Sequence, residues 1–143
     1  MAIAIENRYL PPLIPFLENM PLAGAQSRAR SKLLGMVTLA FQGLALAERE
    51  LVTEYATCDE NGQPVIGEDS TFTLVNPDRA NEYVAAREEL MSERTILTGD
   101  TYEGHYLALQ TLLTEYAEPL TGDDACVYDH LCDAIDQAIS DQP

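Results

Sequence analysis

The chain has 143 residues, 46% of them apolar, which is enough to bury one hydrophobic core, so we expect a single domain over residues 1–143. Its 8 basic and 24 acidic residues give a formal net charge of −16, and this charge opposes binding to polyanions; we therefore expect no direct contact with nucleic acid or with a membrane. Twenty-two of the acidic residues follow Ala47, where only 4 basic residues remain, so residues 48–143 carry −18.

The amino-terminal segment MAIAIENRYLPP has no basic stretch followed by a continuous apolar run, so it does not predict a secretory signal peptide. We expect the protein to stay in the cytoplasm of the cell that makes it. Residues 33–47 are the longest apolar segment, but these 15 residues are fewer than the roughly 18 to 20 that span a bilayer, and they predict a buried helix. Cys58, Cys126 and Cys132 lack paired spacing, which indicates reduced thiols.

The first elements are a short strand and two helices. Alternating apolar residues at positions 2–6 predict an edge strand, and three prolines then constrain the start of a helix that carries Leu13, Ile14, Phe16 and Leu17. That helix should end near Met20 and Pro21. Residues 27–57 contain no proline and predict the longest helix, with apolar residues at helical spacing: Leu33, Val37, Ala40, Phe41, Leu44, Leu51 and Tyr55.

This long helix is apolar nearly all round between residues 33 and 47, so we expect other helices or another subunit to cover more than one of its sides. Gly35, Leu39 and Gly43 are four residues apart and share a face, which favours close packing against a helix or a second subunit. Alternatively, the two glycines are merely tolerated, because each costs only about 1 kcal/mol relative to alanine.

The middle of the chain predicts a turn, a hairpin and a third helix. Residues 59–62, Asp-Glu-Asn-Gly, are typical of a turn, and residues 64–66 and 71–75 suit a small hairpin. Asn76 and Pro77 have the composition of an N-cap and a first helical position, and they predict a helix to about residue 91. Residues 94–98 predict a second strand, and residues 101–117 predict a fourth helix with apolar residues Tyr102, Tyr106, Leu109, Leu112, Leu113 and Tyr116.

The last helix follows Thr121, which we expect to cap it, and Asp123 and Asp124 lie near its positive end. Its predicted apolar stripe consists of Tyr128, Leu131, Cys132, Ile135 and Ile139. Together the elements predict an α+β fold that is mostly helical, with one long central helix and a small antiparallel sheet or hairpin.

Acidic residues of the last helix form a candidate partner-binding surface that consists of Asp123, Asp124, Asp129, Asp133 and Asp136. Carboxylates at positions i and i+4 lie about 5 to 6 Å apart, which imitates the spacing of phosphates and suits the basic groove of a nucleic-acid-binding protein. The alternative interpretation is a solvated helix face that keeps the protein soluble.

No catalytic motif is present: the sequence contains no G-x-S-x-G, no P-loop and no G-x-G-x-x-G, and we expect neither an enzyme nor a cofactor. Cys126 and His130 are one helical turn apart, but they are the only suggestive pair of metal ligands, and we expect no metal. Arg28, Arg30 and Lys32 form the single basic cluster, which we interpret as counter-charges to the acidic remainder or as the rim of an amphipathic helix; contact with phosphate is the less favoured alternative.

Three segments resemble a family of small uncharacterised proteins encoded by phages and prophages of Gram-positive bacteria: IENRYLPPLIPFLENMPLAGAQSRARSKLL, LVTEYATCDENGQPV and PLTGDDACVYDHLCDAI. The resemblance implies a phage context and action within the bacterial host, and it transfers no active residues. Our first hypothesis is a non-catalytic accessory protein that inhibits a host nucleic-acid-binding or defence protein through its acidic surface. The alternative is a virion or tail assembly protein that oligomerises through the apolar central helix.

Overall fold

The computed structural model describes residues 3–97 and 105–141. Within these ranges the chain forms five α-helices and a two-stranded antiparallel sheet, which confirms the predicted α+β, mostly helical class. The elements in chain order are β1 (Ile3–Glu6), α1 (Leu10–Glu18), α2 (Gly24–Tyr55), α3 (Ala80–Ser92), β2 (Arg94–Leu97), α4 (His105–Glu115) and α5 (Gly122–Ser140).

The described residues form two compact units. Residues 3–41, 94–97 and 105–141 belong to the first unit, and residues 42–93 belong to the second. Helix α2 starts in the first unit and ends in the second. The single domain remains a prediction.

The sheet of the first unit joins two strands that are distant in sequence. β1 pairs antiparallel with β2, so that Ile3 lies opposite Leu97 and Glu6 lies opposite Arg94. Ile3, Ile5 and Leu97 are buried, because alternate residues of a strand point to the same face. Both predicted strands are confirmed over their described residues.

Helix α1 is predicted correctly, and an arginine holds its carboxyl end. Its four buried residues are Leu10, Leu13, Phe16 and Leu17. The last carbonyl groups of a helix have no partner within the helix. Arg30 Nη1, on α2, donates to the carbonyl oxygens of Leu17 and Met20 at 2.9 Å each. Arg30 thus has a structural role that the sequence did not predict, and the role of the basic cluster as counter-charges or as a helix rim remains a prediction.

Helix α2 is covered on one side only by the described residues. Leu33, Val37 and Leu44 are buried, but Leu39 and Leu46 are 68% and 60% exposed. The described residues of this chain therefore do not cover a second side of α2, and cover by another subunit remains a prediction.

Helices α4 and α5 pack against each other in the first unit. The buried residues of α4 include the predicted Leu109, Leu112 and Leu113; the first four residues of its predicted range, 101–104, lie outside the described residues. The buried stripe of α5 is rotated from the predicted one and consists of Val127, Leu131, Ile135 and Ala138. Tyr128, Cys132 and Ile139 lie at its border and are half-buried.

The second unit contains the predicted turn and hairpin, although the hairpin forms isolated bridges rather than full strands. Gly62 N donates to Asp59 O at 3.0 Å in the turn, and Ile66 bridges Phe72 antiparallel. Asn76 caps the next helical segment as predicted, because its side chain accepts the N–H of Asp78 at 3.0 Å. Thr121 occupies the N-cap position of α5 but makes no side-chain cap bond, so that predicted contact is wrong.

Candidate functional site

The exposed face of α5 carries three of the predicted acidic residues. Asp129, Asp133 and Asp136 are exposed and lie on the side of the helix opposite its buried stripe. They fall within about 60° of each other, because each residue advances a helix by about 100°. The term acidic row is used below for these three aspartates.

Asp123 and Asp124 are also exposed and lie in the first turn of α5, as predicted. The same helical geometry rotates each of them by about 110° or more from the middle of the acidic row. Their carboxylates instead lie near the positive end of the helix dipole, where a negative charge is stabilising. The five predicted residues therefore share one helix, but only three of them share one face.

Two carboxylates of the acidic row have distinct surroundings. Gln110 Nε2, on α4, donates to Asp136 Oδ1 at 2.9 Å and holds that side chain in place. Asp133 lies at the edge of a cavity of about 280 Å³ that is also lined by Arg94, His130, Gln137 and Asp141. The row is thus a partly ordered surface next to a small polar cavity that includes one cation.

His130 hydrogen-bonds to the backbone at the end of β1. Its Nε2 accepts the backbone N–H of Glu6 at 3.2 Å, and its ring stacks on Tyr9 with the centroids 4.1 Å apart. That hydrogen bond occupies the Nε2 lone pair that a metal would need. Cys126 is exposed, and no group of three or more metal-ligating side chains is present within residues 3–97 and 105–141.

The environment of His130 favours the neutral imidazole. Burial lowers the pKa of His130 from its ordinary value, with a smaller contribution from Arg94; Glu6, Asp133 and Asp129 act in the opposite direction. A neutral ring can keep Nε2 unprotonated as an acceptor, whereas the charged ring has N–H groups at both nitrogens. The bond to Glu6 N–H therefore requires the neutral form.

The surroundings of Cys132 disfavour its activation as a nucleophile. All three cysteines are free, and Cys58 and Cys126 are exposed. Burial raises the pKa of Cys132, and the carboxylates of the acidic row add to this effect. A cysteine nucleophile reacts as the thiolate, which a raised pKa disfavours at neutral pH.

The predicted packing residues of α2 are exposed to solvent. Gly35, Leu39 and Gly43 are exposed, and Leu46 lies on the same face, seven residues after Leu39. A Cβ atom built on either glycine meets no neighbouring group within 4 Å among the described residues. Gly35 and Leu39 belong to the first unit and Gly43 belongs to the second, and packing of these residues against a helix or a second subunit remains a prediction.

Two roles were not predicted from the sequence. Arg94 lies at the cavity beside Asp133, and His130 binds the edge of β1. Both residues are placed by strand β1, which pairs with the strand of Arg94 and binds His130, and which lies more than 80 residues before either of them in the sequence. No local pattern predicts such contacts.

The comparisons with known proteins place the chain in a family. A family model described as "Protein of unknown function (DUF1617)" matches residues 1–141. No curated protein and no solved structure matches the chain. Among the helices of the described ranges, none combines the length and the apolar character needed to cross a membrane. The match over nearly the whole chain shows that the protein belongs to the DUF1617 family.

Proposed function

We propose that the protein is a non-catalytic accessory protein of a phage or prophage that acts by protein–protein contact in the cytoplasm of the bacterial host. In this proposal the acidic row of α5 binds a basic surface of a host protein that handles nucleic acid or acts in defence. The phage context follows from the sequence resemblance. The observation that carries the proposal is the exposure of Asp129, Asp133 and Asp136 on one face of a helix whose opposite side is buried.

The surrounding charge supports an electrostatic contact. The net charge of −16 would attract a basic partner over distances of about a Debye length, roughly 8 Å at physiological salt. Because α5 is anchored by its buried stripe, the backbone that carries the row does not need to become ordered on binding, which lowers the entropic cost of association.

Neutralising the acidic row should weaken binding of a basic partner. We expect the triple variant Asp129→Asn, Asp133→Asn, Asp136→Asn to lose about tenfold in affinity, because each partly exposed ion pair contributes up to about 1 kcal/mol. Host proteins are captured on the immobilised protein at increasing salt concentration, and the retained host protein is identified. The Kd of that host protein is then measured with the wild type and with each variant.

The matched control removes three carboxylates elsewhere, at Glu18, Glu60 and Glu68, all of which are exposed. This control should retain most of the affinity. Equal losses in both triple variants, or binding that does not weaken with salt, would contradict the role of the row.

A second candidate function is self-assembly through α2, as in a virion or tail assembly protein. It is favoured by the exposed face that carries Gly35, Leu39, Gly43 and Leu46. Two such faces could approach closely at the glycines and bury four leucines, which is the usual driving force of a helix-mediated dimer.

If this face assembles the protein, the double variant Leu39→Glu, Leu46→Glu should change a defined oligomer into a monomer in light scattering coupled to size exclusion. The matched control is Val84→Glu, Leu107→Glu, because these side chains are 63% and 57% exposed on other helices and should leave the oligomer intact. A wild-type protein that is monomeric at high concentration and absent from purified particles would rule out this function.

A further inference from the structure

Two helices of the second unit carry the same sequence pattern, Ala-x-x-Glu-Leu-x-x-Glu. It occurs at residues 47–54 on α2 and at residues 86–93, which begin on α3 and end at its C-cap residue. Positions i, i+3, i+4 and i+7 lie on one face of a helix. Each helix therefore presents a strip in which alanine and leucine are accompanied by two glutamates.

The two strips line one groove of about 400 Å³. Helices α2 and α3 are antiparallel neighbours, since Arg87 Nη2 lies 3.3 Å from Glu48 Oε1 and Tyr55 contacts Tyr83 at the other end. The apolar floor consists of the half-exposed Ala47, Leu51, Ala86 and Leu90. The walls consist of four exposed glutamates, Glu50 and Glu54 on one side and Glu89 and Glu93 on the other.

All the charged side chains that line the groove are negative. No arginine or lysine lines it, and within the described part of the chain no ion pair or hydrogen bond involves these four side-chain carboxylates. Glu50 and Glu54 are a like-charge pair at i and i+4 on α2, which destabilises a helix, whereas Glu93 follows the end of α3 as its C-cap residue. Arg79 of the same unit attracts Glu54, and an external cationic group would add to this attraction and relieve the repulsion between the glutamates.

We propose that this groove binds a cationic amphipathic helix of another protein. The apolar side chains of that helix would pack on Leu51 and Leu90, and its lysine or arginine residues would pair with the glutamates on both walls. This is the recognition mode in which an amphipathic helix lays its apolar face in an apolar groove, with charge complementarity setting the orientation.

A second copy of this chain is a poor occupant because the chain has only 8 basic residues. Their one cluster includes Arg30, which is bound to the carbonyls of Leu17 and Met20. The groove is also distinct from the acidic row, since all its residues belong to the second unit. The inference therefore does not depend on the function proposed for α5.

The test uses the full-length protein and a labelled synthetic peptide of about 18 residues, long enough to form a helix in water. The peptide has leucines at i, i+3, i+4 and i+7 spacing and lysines elsewhere, and a scrambled peptide of identical composition has no apolar face. Fluorescence anisotropy should show binding of the amphipathic peptide at least about tenfold tighter than binding of the scrambled one. Equal affinity for the two peptides, or no binding of either, would overturn the proposal.

The wall variant, Glu50→Gln, Glu54→Gln, Glu89→Gln, Glu93→Gln, removes the negative charge of all four glutamates that line the groove. It should raise the Kd for the amphipathic peptide about tenfold or more, whereas a control with the same change in net charge, Glu18→Gln, Glu60→Gln, Glu68→Gln, Asp78→Asn, should change it about twofold or less. Because the wall variant removes like-charge repulsion, its thermal unfolding should occur at the same temperature as in the wild type or higher. If the two quadruple variants raised the Kd equally, the peptide would be attracted by the net charge of the protein alone, and the proposal that it binds in the groove would be overturned.

Two further measurements separate the groove from the other surfaces. The triple asparagine variant of the acidic row should bind the peptide with the same Kd as the wild type. Loss of binding in that variant would show that the peptide binds at α5 and would overturn the groove as its binding site. Sedimentation of the protein alone checks for a second copy in the groove, and a dimer abolished by the wall variant would overturn the proposed partner.

Discussion

Replacing Arg30 by methionine is expected to lower the free energy of unfolding by about 2–3 kcal/mol. Arg30 Nη1 makes two hydrogen bonds of 2.9 Å to the carbonyls of Leu17 and Met20, and a hydrogen bond to a charged group contributes roughly 1.5–3 kcal/mol. Methionine keeps most of the apolar stem but leaves both carbonyls without that donor. The loss is partly offset because the buried Arg30 Nε has no partner among the described residues.

The measurement is urea unfolding followed by circular dichroism, with Arg28→Met as the matched control. Arg28 is exposed and precedes Arg30 by two residues, so its replacement should change the free energy of unfolding by less than about 1 kcal/mol. Arg30→Lys should be intermediate, since an ammonium group still donates but lacks the planar geometry of guanidinium. Equal effects at positions 28 and 30 would contradict the role of Arg30 as a helix cap.

Replacing His130 by alanine is expected to cost about 2–3 kcal/mol at pH 7.5. The change removes the acceptor for the Glu6 N–H and the ring that stacks on Tyr9. The Glu6 N–H is partly buried; an unpaired N–H costs about 1–3 kcal/mol when it is fully buried, and a stacked ring pair contributes roughly 0.5–1.5 kcal/mol.

The same contact predicts a dependence of stability on pH. Burial lowers the pKa of His130 below its ordinary 6.5, so the folded protein binds this proton less readily than the unfolded chain does. The contribution of the neutral ring is therefore complete above about pH 6.5 and is lost as the pH falls from there toward the lowered pKa.

His130→Gln provides the test, because an amide oxygen can accept the Glu6 N–H but does not titrate. The neighbouring charged groups, Glu6, Arg94, Asp129 and Asp133, remain in this variant. We expect its free energy of unfolding to decline less steeply than that of the wild type between pH 6.5 and 5. Parallel slopes for the two proteins would contradict the assignment.

Features that depend on neighbouring residues were predictable from the sequence. Asn76 followed by Pro77 indicates an N-cap because the capping bond spans only two residues. The proline-free run from residue 27 indicates a long helix because apolar spacing is a local property. The acidic row was predicted for the same reason, since three residues of one helix share a face regardless of what surrounds them.

Features that depend on tertiary contacts were not predictable. The buried stripe of α5 is centred nearer Val127 and Ala138 than Tyr128 and Ile139, because the neighbouring elements decide which side of an amphipathic helix they cover. Similarly, nothing near Arg30 in the sequence indicates the carbonyls that it binds. The glutamate-walled groove had a sequence signal, the pattern repeated at residues 47–54 and 86–93, but only the antiparallel packing of α2 and α3 shows that the two copies line one groove.

The pairing of β1 with β2 has a consequence for synthesis of the protein. A ribosome that adds about 5–20 residues per second needs several seconds to make the roughly 90 residues between the two strands. During that time Ile3 and Ile5 have no strand to pair with and lack part of the cover that buries them in the finished fold. Strand β1 is therefore made well before the strand that it pairs with, and its pairing can be completed only after the chain has been synthesised through β2.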